Sequence, residues 1–142
     1  PAFWMLPEKG TWPKAGEIDI MELIGGGAGR DNKAYGTLHG PGYSGASGIQ
    51  GSTRLSKGNF SDAYHVFEVK WSMGKIEWSV DGQHYHTVTR TDVPGVWPFD
   101  DGDFSILLNV AVGGSWPGNP SAKTEFPQRM SIDWVRVYQE AP

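Results

Sequence analysis

Apolar and polar residues alternate along this chain in short runs separated by Gly- and Pro-rich breaks, a period-two pattern that predicts strands. Residues 1–7 form an apolar strand closed by Pro7, with Trp4 facing away from Phe3 and Met5. In residues 33–39, Tyr35, Thr37 and His39 share one face, and Ala34, Gly36 and Leu38 the other. Residues 63–71 place His65, Phe67, Val69 and Trp71 together, as in a strand of an outer sheet, where His65 reads as structural. Lys75–Val80 and Gln83–Thr89 flank Asp81-Gly82, a two-residue hairpin signal, and His84 and His86 are expected to face solvent. Residues 104–112 read as a buried strand, with Ile106, Leu108, Val110 and Val112 toward the core and Leu107, Asn109 and Ala111 on the opposite side. Residues 130–138 read as a final strand. Between these runs, residues 25–29 are a Gly-rich turn, 40–59 a long loop without clear period, and 90–103 a solvated loop carrying Asp100, Asp101 and Asp103. The pattern is that of an all-β domain.

One run breaks the rule that buried strands avoid charge. Glu17-Ile18-Asp19-Ile20-Met21-Glu22 sets three carboxylates among apolar residues that read as buried. Glu17 and Asp19 share a face, but Glu22, an odd step from Glu17, would point the other way in a regular strand. One extra residue near Ile20-Met21, a β-bulge, returns Glu22 to the Glu17 face. The two Glu Cα atoms would then lie roughly 12–14 Å apart along the strand. Long side chains leaning together bring the carboxyls to about 5–5.5 Å, the spacing of a retaining glycosidase.

Composition narrows the classes. A length of 142 residues fits one domain. Seven Trp suit an all-β core or a sugar-stacking cleft. The net charge of −4 argues against a nucleic-acid partner, and no apolar run is long enough to span a membrane. Without Cys there is no disulfide, thiol nucleophile or thiolate metal site. The four His share no zinc spacing, the Gly-rich turn lacks the features of a phosphate loop, and the Asp100–Asp103 cluster lacks the EF-hand register. Trp12, in the polar loop just before the carboxylates, is read as a substrate-stacking residue. His39, beside Glu22, is read as a hydrogen-bond partner of a sugar hydroxyl or of a carboxylate.

The segment from Trp12 to Glu22, Trp-Pro-Lys-Ala-Gly-Glu-Ile-Asp-Ile-Met-Glu, resembles the signature of glycoside hydrolase family 16 in its laminarinase-like branch. The resemblance extends to residues 1–7, Thr37-Leu38-His39-Gly40, residues 109–116 and residues 132–138, in the expected order along essentially the whole chain. It implies a β-sandwich jelly roll of two curved antiparallel sheets with a concave substrate cleft. It implies Glu17 as nucleophile, Glu22 as acid and then base, and Asp19 as a hydrogen-bonding partner that tunes Glu17. Glu22 is expected to have a raised pKa, chiefly through the negative charges of Glu17 and Asp19, with burial adding to it. Trp4 and Trp116 would flank the cleft, and Asn109 would line it.

The resemblance further implies an extracellular enzyme that needs no cofactor for catalysis, with Asp133 as one ligand of a structural calcium ion. It covers only the later part of such a domain, so the N-terminal strands are expected to be absent from this chain or supplied by a second chain. The substrate expected is β-1,3-glucan or mixed-linkage β-1,3-1,4-glucan. The alternatives are a galactan hydrolase of the agarase or carrageenase type and a non-catalytic β-glucan-binding jelly roll.

Overall fold

A computed structural model describes residues 1–26 and 29–139; Gly27 and Ala28, in the expected Gly-rich turn, lie outside the described residues. The strands are β1 (Ala2–Pro7), β2 (Glu17–Glu22), β3 (Lys33–His39), β4 (Ile49–Arg54), β5 (Phe67–Ser72), β6 (Lys75–Val80), β7 (Gln83–Thr89) and β8 (Phe104–Asn109). They form a five-stranded sheet in the order β4-β3-β2-β1-β8 and a three-stranded sheet in the order β5-β6-β7, every pairing antiparallel.

The alternation in β2 and β3 is what joins the sheets. Ile18 and Leu38, paired across the two strands, are fully buried. They share a core cluster with Ile76 and Trp78 of β6, Val88 of β7 and Phe99 of the following loop. Burying a large aliphatic or aromatic side chain contributes about 1.5–3 kcal/mol. Trp78 also satisfies its indole N–H, which donates to the Asp19 carbonyl at 2.9 Å. A buried donor left unpaired would cost free energy, so this bond ties the outer sheet to the middle of β2.

The hairpin forms at Asp81-Gly82, with φ of +51° and +74°, as a two-residue turn that tolerates left-handed backbone requires. Asp81 also accepts a bond from the Val66 N–H and lies 2.7 Å from His65 Nδ1, so His65 is structural, as expected.

Several expectations are corrected. Residues 49–54, expected within a loop, form β4, because β3 supplies a hydrogen-bonding edge from Leu38↔Ile49 to Lys33↔Arg54. The strand expected over 63–71 begins at Phe67. His86 does not face solvent: its ring lies 4.9 Å from the Trp78 ring, under Gly51, which has no side chain to fill that space. The register of β6 with β7 runs Trp78↔His86 and then Ser79↔His84, so Tyr85 is an extra residue that breaks the expected parity of the two His. Asp100 is not a solvated loop residue. It accepts bonds from the Gly74 N–H and the Trp97 indole and pairs with Arg90.

The C-terminal third differs most. Residues 104–109 form β8, but Ile106 and Leu108 are exposed, as are Val110 and Val112 beyond it. β8 is an edge strand, and no second layer covers its outer face among the described residues. Residues 130–138 form no strand, and Ile132, Trp134, Val135, Val137 and Tyr138 are exposed. A strand needs a neighbour for its backbone groups, and none of the described strands pairs with this segment.

Candidate active site

The bulge expected in β2 is present. On the β3 side the register runs Glu17↔His39, Asp19↔Thr37 and then Glu22↔Tyr35; on the β1 side Trp4↔Asp19 is followed by Phe3↔Met21. One residue is therefore inserted around Ile20, and Asp19 and Glu22 each sit opposite a residue of the polar face of β3. Two rows cross the sheet. Leu107, Trp4, Asp19, Thr37 and Gln50 form one; Asn109, Ala2, Glu22, Tyr35 and Ser52 form the next.

Gly16 sets the entry into β2. Its φ of +95° strains any side chain, and a Cβ there would meet Phe99 and Pro98. Glu17 accepts a hydrogen bond on Oε2 from the indole N–H of Trp12, in the loop that precedes β2. Asp19 is buried, 3% exposed, with Oδ2 3.1 Å from His39 Nε2. The His39 ring fits because residue 48 is glycine; a Cβ there would press on the ring. Glu22 Oε2 accepts from the Thr37 hydroxyl at 3.3 Å, and Thr37 Oγ1 accepts from the Gln50 amide at 3.3 Å.

All three carboxyls hold protons more tightly than exposed acids do. Burial is the main cause for Glu17, raised from 4.5 to about 7, and the charge of Asp19 adds to it; His39 and the Trp12 N–H pull the other way. Asp19 is raised from 3.8 to about 8, again chiefly by burial and then by the charge of Glu22. Glu22 is raised mainly by burial, opposed by the Thr37 hydroxyl and His39, with Glu17 a smaller contributor. The expected rise at Glu22 is therefore present, but desolvation rather than like-charge repulsion leads it. The rise is shared by the whole group, because one low-dielectric surface serves all three.

Beyond the carboxylates, the expected residues divide. Trp4 and Asn109 come together, the Trp4 indole donating to Asn109 Oδ1 at 2.8 Å, and Trp4 sits directly opposite Asp19. The Trp12 ring lies 6.4 Å from the His39 ring, and Trp12 is 54% exposed. Trp116 packs its ring 4.8 Å from Tyr35, the residue opposite Glu22, and remains 44% exposed. Asp133 is exposed, on the segment 130–138. No group of three potential ligand side chains includes it among the described residues. The sequence reading put Thr37 on the polar face but gave it no role, and it missed Gln50; the register Thr37↔Gln50 across β3 and β4 is what brings them in.

The bulged strand carries one buried carboxyl, Asp19, between the half-buried Glu17 and Glu22. The model of Glycosyl hydrolases family 16 matches residues 1–136. The chain belongs to this family. It is 48% identical to the endo-beta-1,3-glucanase of Pyrococcus furiosus, whose X-ray structure superposes with a TM-score of 0.82 over 89% of this chain and 50% of that one. It is 40% identical to the glucan endo-1,3-beta-glucosidase of Cryptopygus antarcticus, over 97% of this chain and 56% of that protein. It is 35% identical to the beta-glucanase of Rhodothermus marinus, over 98% of this chain and 51% of that protein. The chain thus spans about half the length of these relatives. The two-sheet family 16 domain expected from the sequence is the fold observed, with the corrections to β4, β8 and residues 130–138 given above.

Proposed function

We propose that this chain carries the catalytic surface of a retaining endo-β-1,3-glucanase. The observation that supports it best is the bulged β2, which sets Glu17, Asp19 and Glu22 together with an indole N–H on Glu17 and a hydroxyl on Glu22. Glu17 attacks the anomeric carbon of a β-glucan, and the C–O bond to the departing chain breaks as Glu22 gives its proton to the leaving oxygen. Glu22, now a carboxylate, takes a proton from water, which attacks the same carbon and releases Glu17. Two charge states are needed at the start, and the site supports both. Burial makes full ionisation of the three carboxyls costly, so the group retains a proton. The Trp12 N–H favours negative charge on Glu17. Asp19, beside His39, exchanges a hydrogen bond with Glu17 and acts as its positioning residue.

Trp4, Trp12, His39, Asn109 and Trp116 are the residues assigned to the sugar chain, and the protein acts outside the cell. Among the described residues no helix is long and apolar enough to cross a membrane. In the whole protein, further strands from another segment or a second chain cover the apolar face around Ile106 and Leu108.

The test is reducing-sugar release from laminarin by the wild type and by Glu17→Gln, on material whose composition is fixed by intact mass. Activity in the wild type that is lost in the variant supports the assignment. No release from laminarin or lichenan, with laminarin binding intact, replaces it with a glucan-binding module; release from agarose instead moves the substrate to galactans.

A further inference from the structure

Thr37 and Gln50 stand out because the two-carboxylate mechanism assigns them nothing, yet they form a continuous chain into the site. Thr37 is 2% exposed. Its hydroxyl has one proton to give and lone pairs to accept with. The Gln50 amide nitrogen donates to Thr37 Oγ1 at 3.3 Å, so a lone pair of that oxygen is taken from the β4 side. The remaining O–H points to Glu22 Oε2, also at 3.3 Å. The register holds the first link, since Gln50 is opposite Thr37; the second is diagonal, because Thr37 is opposite Asp19 and Glu22 is opposite Tyr35.

We propose that Gln50 and Thr37 form a positioning relay, in which Gln50 fixes the direction of the Thr37 proton so that it holds Glu22 in its carboxylate form and orientation. The proposal rests on the reading of Glu22 as the acid and base. In that mechanism Glu22 is neutral at the start and ionised once it has delivered its proton. The relay therefore opposes the first state and supports the second, setting the pH above which the acid is lost. The other titratable groups facing Glu22 are Glu17 and Asp19 on its own strand and His39 from β3. The relay acts on it through a neutral hydroxyl, so it can be removed without changing any charge.

Thr37→Val keeps the β-branched shape and deletes the hydroxyl. The alkaline limb of kcat/KM on laminarin is expected to move up by about one pH unit, the scale of one hydrogen bond to a charged group. The carboxyl carbon of Glu22, followed by 13C NMR, should move with it and does not depend on turnover. Gln50→Met, on the exposed side of β4, frees the Thr37 proton to rotate and should shift both readouts the same way by less. An unmoved limb and an unmoved Glu22 titration in Thr37→Val overturn the relay. A downward shift overturns it too, because it means that the Thr37 proton points to Gln50 and that Thr37 accepts from a protonated Glu22. Glu22→Gln separates this from failure of the underlying reading. If laminarin turnover falls about a hundredfold or more in Glu22→Gln while Thr37→Val does nothing, the relay alone is wrong. If Glu22→Gln turns over laminarin like the wild type, the assignment of Glu22 is wrong, and the relay with it.

Discussion

Replacing Asp19 by Asn removes the ionisable group from the middle of the carboxylate cluster and keeps the shape. Glu17 rises from 4.5 to about 7, with burial first and Asp19 second among the causes. Asp19 contributes to that rise only as far as it is ionised, and since it is itself raised to about 8 its effect near the Glu17 titration is at most about one pH unit, about 1.4 kcal/mol. The ligand atoms of Glu17, Asp19 and His39 lie within 4.8 Å of one another, close enough for a coupling of that size. The acid limb of kcat/KM should accordingly move down in Asp19→Asn, by at most about one pH unit, together with the 13C titration of the Glu17 carboxyl.

The same substitution has a signed effect on stability. Asp19 is raised from 3.8 to about 8, so the native state favours its neutral form. The stability it contributes is fully present below about pH 4 and is lost as pH rises through about 8. The wild type should become easier to unfold in urea between pH 4 and pH 8, by an amount on the order of 5 kcal/mol if Asp19 acts alone. Asp19→Asn should flatten that slope. A wild-type stability that is level or rising over this range, or an acid limb that stays put or moves up in the variant, would refute the reasoning.

Two further substitutions probe the supports of the site. Trp12→Phe keeps an exposed aromatic ring but deletes the N–H on Glu17; since that bond favours the carboxylate, the acid limb should move up by about one pH unit, and a downward shift would contradict the assignment. Gly48→Ala has an ordinary φ of −55°, so its effect is spatial: the new methyl presses on His39 and on the Thr37 methyl. His39 should leave Asp19, with kcat/KM on laminarin falling at least about tenfold, about 1.4 kcal/mol, while the circular dichroism spectrum is preserved; unchanged activity would show that His39 is not needed at Asp19.

The sequence by itself determined what depends on neighbours along the chain. Alternation marks Ile18 and Leu38 as core and Tyr35, Thr37 and His39 as one face, because side chains on a strand alternate wherever the strand is placed. The odd step from Glu17 to Glu22 among apolar residues required a bulge, and the Asp81-Gly82 pair required a hairpin, since both are local backbone demands. Tertiary structure decided what depends on which strands meet. β4 exists because β3 offers it an edge, and Gln50 reaches Thr37 only through that pairing. The extra Tyr85 in β7 turned His86 under Gly51, a register that no local pattern in residues 83–89 records. Ile106 and Leu108 have the periodicity of a core strand, yet they are exposed because β8 is an edge without a covering layer among the described residues. The electrostatics follow the same division: proximity in sequence predicted repulsion among the three carboxyls, but burial, a property of the assembled sheet, contributes most to holding their protons.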